Sequence, residues 1–204
     1  MDILSKTKAT IEQAKQWAKQ RNATELFISL ASTYYSLCEK MGVNFSVAYS
    51  QFAKETGYGK FGGVLDETYC NPCGLKNHKG GGDKDKNAHC KFTSWEEGIQ
   101  AHLEHLCLYA GQTNYPLNNP KDSRHFKYLL GTCTKVEDLG GKWCPNKNYG
   151  IEILKMVDSL ENTKVVDMDN LIKIITRLIE TNDNITKELL EVERILLTQN
   201  KIRG

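Results

Sequence analysis

The chain has 204 residues, a formal net charge of +2 and no long apolar run, which suits one globular domain with an appendage and leaves room for a real core. The near-neutral balance, with no basic run interleaved with aromatics, excludes a nucleic-acid footprint, and no segment reads as a membrane span, so no membrane insertion is expected. Seven cysteines cannot all pair within one chain, and free thiols are the default reading.

Residues 1–21 mix Lys, Gln and Thr with isolated Ile3, Leu4, Ile11 and Trp17. They lack the continuous apolar core of a signal peptide and read as an N-terminal helical extension, so the chain is expected to be synthesised in the cytoplasm. Asn22 and Glu25 have the spacing of a capping box. Phe27, Leu30, Ala31, Tyr34, Cys38 and Met41 then mark one apolar face that ends at Gly42. In the next helix Asn44 or Ser46 can cap the start, Ala48, Gln51, Phe52 and Glu55 follow at helical spacing, and Gly57 is the stop. Glu55 therefore falls in the last turn. The partial negative charge of the helix C-terminus and the neighbouring Phe52, Tyr58 and Phe61 both disfavour its ionised form. A carboxyl tuned in that way suits a glycosidase general acid.

Between Gly57 and Thr93 the composition shifts to Gly, Asn, Asp, Lys and His, too polar to bury, and a long irregular loop region is expected. Cys70 and Cys73, with Cys90 and His78 or His89 nearby, have a partial zinc-site look. The second ligand pair lacks a regular spacing, and neither a metal nor another cofactor is expected. Ser94 and Glu97 form a second capping box, and Ile99, Leu103, Leu106, Cys107 and Ala110 run as an amphipathic helix to Gly111. His102 and His105 share one face of it, and with His89 they read as structural hydrogen-bonding groups, because no acid or thiol on that helix completes a ligand set. Trp95 reads as core packing; Trp143, in a Gly and Asn-rich loop before Tyr149, suits either packing or stacking on a sugar face. Shorter helices are expected over 123–130 and 136–139, and a longer one from about Asn148 that uses Ile151, Leu154, Val157 and Leu160.

A polar link after Glu161 opens a third region, 163–204. Leu171, Ile175, Leu178, Asn182, Ile185, Leu189, Val192 and Leu196 alternate steps of four and three, the seam of a coiled-coil helix over about four heptads. Asn182 falls at an a position, where a lone Asn fixes register and oligomer number. Self-association into a homo-oligomer through residues 168–200 is the expectation. The alternative is one amphipathic helix lying on the domain, since Ile174, Ile179 and Ile195 widen the stripe.

Four blocks, AYSQFAKETGYGKF at 48–61, NPCGLK at 71–76, GGGDKDKNAHCKFTSWEEGIQAHLEHLCLYAG at 80–111 and LGGKWCPNKNYG at 139–150, carry a resemblance in their order and spacing. The segment from about Glu25 to Ser159 resembles a bacterial cell-wall glucosaminidase domain of glycoside hydrolase family 73, of the phage endolysin type. The resemblance implies a mainly α, lysozyme-like fold over 22–162. It also implies a peptidoglycan hydrolase that cleaves the glycosidic bond after N-acetylglucosamine. Glu55 then matches the family's general acid and Tyr149 a tyrosine placed near the reacting sugar. Asn71 and Gly74 would shape the cleft floor and, with Tyr58, Asp85 and Trp143, bind substrate. The family often presents a second acid some thirty residues after the first. Asp83, which follows the Gly80–Gly82 run that lets the backbone bend, is the choice for it, with Asp85 close behind; His89 to Phe92 carry no carboxylate where some members place theirs. The N-acetyl oxygen of the substrate is the other possible second group, and inversion or retention stays open. Two rival functions remain, a lytic transglycosylase on the same fold and a non-catalytic oligomeric glycan-binding protein. A lysin made without a signal peptide would reach the wall through a holin or as part of a virion.

Overall fold

The computed structural model describes residues 1–165, 168–181 and 186–203, which separate into two compact units, Met1–Lys164 and Val165–Gly204. The described residues are mainly helical, consistent with the lysozyme-like domain expected; none forms a strand, and three isolated bridges are the only β-type pairings among them. No helix among them is long and apolar enough to cross a membrane.

In the first unit the helices are α1 (Ile11–Lys19), α2 (Glu25–Ser29), α3 (Ala31–Met41), α4 (Phe45–Thr56), α5 (Trp95–Ala110) and α6 (Tyr149–Glu161). Residues 1–21 are built into this unit. Thr10 and Gln13 form a capping box at the start of α1, Ile3 and Trp17 are fully buried, and the amide of Asn44 donates to the carbonyl of Ile3 at 2.9 Å. Asn22, expected as a cap, instead occupies the left-handed region at φ 52°, a conformation Asn tolerates. Thr24 takes the capping role, its Oγ1 accepting from the Phe27 amide at 3.2 Å. The apolar face from Phe27 to Met41 is divided at Leu30 into α2 and α3, and the stretch 123–130 holds only a 3-10 turn at Lys127–Leu129.

Helix α4 lies at the centre, packed against α3 on one side and α6 on the other, and Phe45 through Ala53 are all buried. Asn44 caps it, accepting from the Val47 amide at 3.2 Å. A helix enclosed on all sides should be apolar all round. Its buried stretch from Phe45 to Ala53 is apolar except for Ser46, Ser50 and Gln51, and a buried glutamine needs partners for both ends of its amide. Around α4 the rings of Trp17, Phe27, Tyr34, Phe45, Tyr49 and Phe52 form a continuous aromatic core, with Phe27 and Phe52 stacked at 4.5 Å.

The polar region between α4 and α5 is clamped to the helices where side chains are smallest. Gly98 on α5 lies against the carbonyl of Cys70, and a Cβ there would stand 1.8 Å from that oxygen. The close approach seats the loop on α5.

In the second unit α7 (Met168–Thr181) and α8 (Thr186–Arg203) contact one another. Leu171, Ile175 and Leu178 of the expected seam fall on α7, and Leu189, Val192 and Leu196 on α8; Asn182 and Ile185 lie outside the described residues. The described seam residues are thus shared between two helices that touch, where the heptad pattern reads as one.

Substituting Gly98→Ala should destabilise the first unit by about 3 kcal/mol, since backbone must move to admit the methyl group; the shift in the urea midpoint at unchanged m-value measures it.

Candidate active site

Gly57 ends α4 in the left-handed conformation at φ 57°, and its amide donates to the carbonyl of Ala53. This stop leaves Glu55 in the final turn with its side chain open to solvent. Two donors converge on one of its carboxylate oxygens. The Tyr149 hydroxyl donates to Oε1, and the Trp143 indole Nε1 donates to the same atom at 3.0 Å. Among the described residues no hydrogen bond reaches Oε2.

The pKa of Glu55 is raised above the ordinary carboxylate value. Desolvation by the surrounding protein is the largest influence; the bonds from Tyr149 and Trp143 and the charge of Lys54 act against it and are outweighed. Glu55 as a residue is open to solvent, and the protein packed around its carboxyl still desolvates it.

Tyr149 is the first residue of α6 and is buried. Burial also raises its pKa, with the Glu55 charge adding to the effect, so it stays a neutral donor. Its hydroxyl accepts from Nε2 of Gln51 at 3.0 Å. One turn before Glu55 on α4, Gln51 is fully buried, and its Oε1 faces Nε2 of His102 at 2.9 Å. Nδ1 of His102 meets the hydroxyl of Tyr34 at 2.9 Å. His102 is held neutral, its pKa pushed down to about 3 chiefly by burial, with His105 lowering it further. Lys54 and Glu152 pair across α4 and α6 at 2.6 Å, and the ammonium lies 5.6 Å from the centre of the Tyr149 ring.

Trp143 is held on its own account. Its ring packs on His105 at 5.3 Å, His102 at 5.8 Å and Tyr109 at 6.2 Å between centroids, and on a small cluster of Cys73, Leu75 and Ala101. Nδ1 of His105 bonds in turn to the buried carboxylate of Asp122 at 2.6 Å. Tyr109 also lines an open cavity of about 390 Å³ with Tyr128, Leu129, Thr132 and Lys142.

The remaining residues singled out from the sequence are placed differently. Asn71 is buried and braces its loop. Its Nδ2 donates to the carbonyls of Leu75 and Cys90 at 2.9 and 3.0 Å, and its Oδ1 accepts from the Leu75 amide at 2.9 Å. Gly74 makes the turn of that loop at φ 66°. Both therefore support Trp143 through Cys73 and Leu75. Tyr58 packs its ring on Trp17 at 5.3 Å and on Phe27 at 6.0 Å, towards α1. Asp83 is almost wholly exposed and bonds Nζ of Lys76 at 2.6 Å, which holds its carboxyl below the usual range. Asp85 caps the 3-10 turn at Lys86–Ala88 by accepting from the Asn87 amide. These two carboxylates bond within a flap closed at its base by the Lys76–His89 bridge, and their hydrogen bonds do not reach Glu55.

Among the described residues no group of three His, Cys, Asp or Glu side chains is arranged to hold a metal ion, and Cys70, Cys73 and Cys90 are free thiols. His102 and His105 serve as hydrogen-bonding groups. The role of Gln51 was not drawn from the sequence, although a glutamine one turn before the glutamate on an otherwise apolar helix was a usable signal.

The family model described as glucosaminidase, mannosyl-glycoprotein endo-beta-N-acetylglucosaminidase, matches residues 31–162. That span takes in α3 through α6. A protein of Borreliella burgdorferi, itself described only as uncharacterized, is 32% identical over 131 residues, which cover 63% of this chain and 60% of the relative. The chain thus spans less than two thirds of that relative's length. No solved structure matches the chain. Tyr34, Gln51, Glu55, His102, Trp143 and Tyr149 all lie inside the matched span, and the chain belongs to the glucosaminidase family.

Proposed function

We propose that the protein is an endo-β-N-acetylglucosaminidase that hydrolyses peptidoglycan after N-acetylglucosamine, with Glu55 as the general acid. The observation that carries this reading is the Glu55 carboxyl itself, solvent-open, with a raised pKa and two neutral donors on a single oxygen. Cleavage passes through an oxocarbenium-like transition state and needs a proton delivered to the leaving oxygen. A carboxyl whose protonated form desolvation favours can deliver it from Oε2, while Tyr149 and Trp143 stabilise the carboxylate left behind. Trp143, bonded to the acid, offers aromatic surface for a sugar ring beside it.

Asp83 is our candidate for the second group. Lys76 keeps it ionised, as a base or charge stabiliser must be, and the glycines at 80–82 let the flap bend. A single carboxylate at the mouth of the site also suits a lytic transglycosylase, and the two activities differ in product. Wild-type protein should release N-acetylglucosamine reducing ends from purified walls, whereas anhydro-muramic ends would establish the transglycosylase.

The finer role we propose is that of a phage or cell-wall lysin, acting on the wall after release. The second unit exposes Ile174 on α7 and Leu190, Val192, Ile195 and Leu197 on α8, apolar surface that a further copy of the chain would cover. Oligomerisation would multiply weak wall contacts by raising effective concentration.

Glu55→Gln should lower wall hydrolysis by about 10²-fold or more at unchanged circular dichroism, the usual size of a general-acid contribution; retained activity removes Glu55 from that role. For Asp83→Asn the expected loss is about 10²-fold, and a loss below about threefold passes the role to Asp85 or to the N-acetyl oxygen of the substrate. Light scattering at micromolar concentration should give a multiple of the 23.1 kDa chain mass; a monomer excludes the oligomer.

A further inference from the structure

We propose that Tyr34, His102 and Gln51 are positioning residues: they form a one-way chain of hydrogen bonds that fixes Tyr149 as a donor to Oε1 of Glu55 and thereby confines the acid proton of Glu55 to Oε2. This rests on the reading of Glu55 as the acid.

The direction follows from counting hydrogens. Tyr149 has one hydroxyl hydrogen and gives it to Glu55, so towards Gln51 it can only accept, and the amide must present Nε2. Oε1 of Gln51 is then turned to His102 and requires a donor there. Neutral imidazole carries one N–H, which must be on Nε2. Nδ1 is left as an acceptor, and the Tyr34 hydroxyl supplies it at 2.9 Å. Every group on the line has a partner, and no step has donor facing donor.

Reversal would need the Gln51 amide to turn over and His102 to exchange tautomers. Tyr34, Gln51 and His102 have no exposed surface and Tyr149 is buried, so no solvent reaches the chain to ease that exchange. With the direction held, Tyr149 and Trp143 both donate to Oε1 and take up its two in-plane lone pairs, so a hydrogen on Oε1 would meet one of those donors and is excluded. The acid proton therefore resides on Oε2, which no protein donor engages among the described residues. Substrate meets a proton whose position is fixed by side chains from four helices. The groups facing Glu55 are Tyr149 from α6, Lys54 with its partner Glu152, and Cys73 from the loop between α4 and α5; those facing His102 are Tyr34, His105 and Asp122.

Two measurements test the chain of bonds. In wild-type protein, long-range ¹H–¹⁵N spectra should show His102 as the uncharged Nε2–H tautomer from about pH 5 to about pH 8. An Nδ1–H tautomer or an imidazolium in that range overturns the proposal without reference to any variant. Kinetically, His102→Leu should lower kcat about tenfold or more with KM changed less than about twofold. The alkaline limb of its kcat profile, which reports loss of the Glu55 proton, should move to higher pH, because a loosened Tyr149 stabilises the carboxylate less. His102→Gln can both donate to Gln51 and accept from Tyr34, and should recover most of the rate. A folded His102→Leu protein with unchanged kcat and an unmoved limb, or a His102→Gln protein as slow as His102→Leu, overturns the positioning role. If His102→Leu does not fold, Tyr34→Phe should still move the limb in the same direction, and an unmoved limb counts against the chain. Glu55→Gln serves as the control. Activity in that variant removes the acid assignment and the proposal with it, whereas a dead Glu55→Gln beside an unaffected His102→Leu removes the positioning role alone.

Discussion

Gln51 sits on α4 with no exposed surface, and the two ends of its amide face a histidine from α5 and a tyrosine from α6. An unsatisfied amide in such a place would cost about 1–3 kcal/mol for each unmet group. Each partner must therefore be present and correctly turned, which couples the placement of three helices to one side chain. Tyr34 brings in α3 as a fourth. The same polar line that holds the helices in register ends at the Glu55 carboxyl, so the packing of the core and the geometry of the candidate site are one constraint.

At Glu55 two opposing demands meet. Desolvation favours the protonated acid, and the donors from Tyr149 and Trp143 favour the carboxylate that remains after proton transfer. Were desolvation alone present, the acid would be reluctant to give up its proton. With the donors dominant it would be ionised at neutral pH and have none to give. Both donors reach one oxygen, which leaves the second free of protein donors among the described residues, as the proposed general-acid role requires. Trp143 has a further function. Its support by His102 and His105 below and by Cys73 and Leu75 from the loop makes the long polar region answerable to the position of the acid.

The flap that carries Asp83 and Asp85 has a different character. Its carboxylates bond locally and its base is tied by a single bridge and by Asn77. Few buried apolar contacts hold such a segment, the condition under which local opening is least costly.

The elements of this protein were mostly legible in its sequence because they rest on local physics. Helix stops at Gly42, Gly57 and Gly111, caps at Asn44 and Ser94, and the apolar faces of α4, α5 and α6 need no distant partner to be recognised. Glu55 was legible too, since its place in a last turn before a glycine is set by four neighbouring residues. Tertiary packing overrode local preference at Asn22, which turned left-handed and ceded the cap to Thr24, and at Leu30, where one apparent helix became two. Asn71, Gly74 and Tyr58 were singled out near the right segments, but only the folded chain shows that the first two brace a loop and the third packs towards α1. The line from Tyr34 to Glu55 lay beyond sequence reading altogether. Its members are 68, 51, 98 and 94 residues apart at successive bonds, and hydrogen-bond direction is a property of groups brought together in space, which no local spacing encodes.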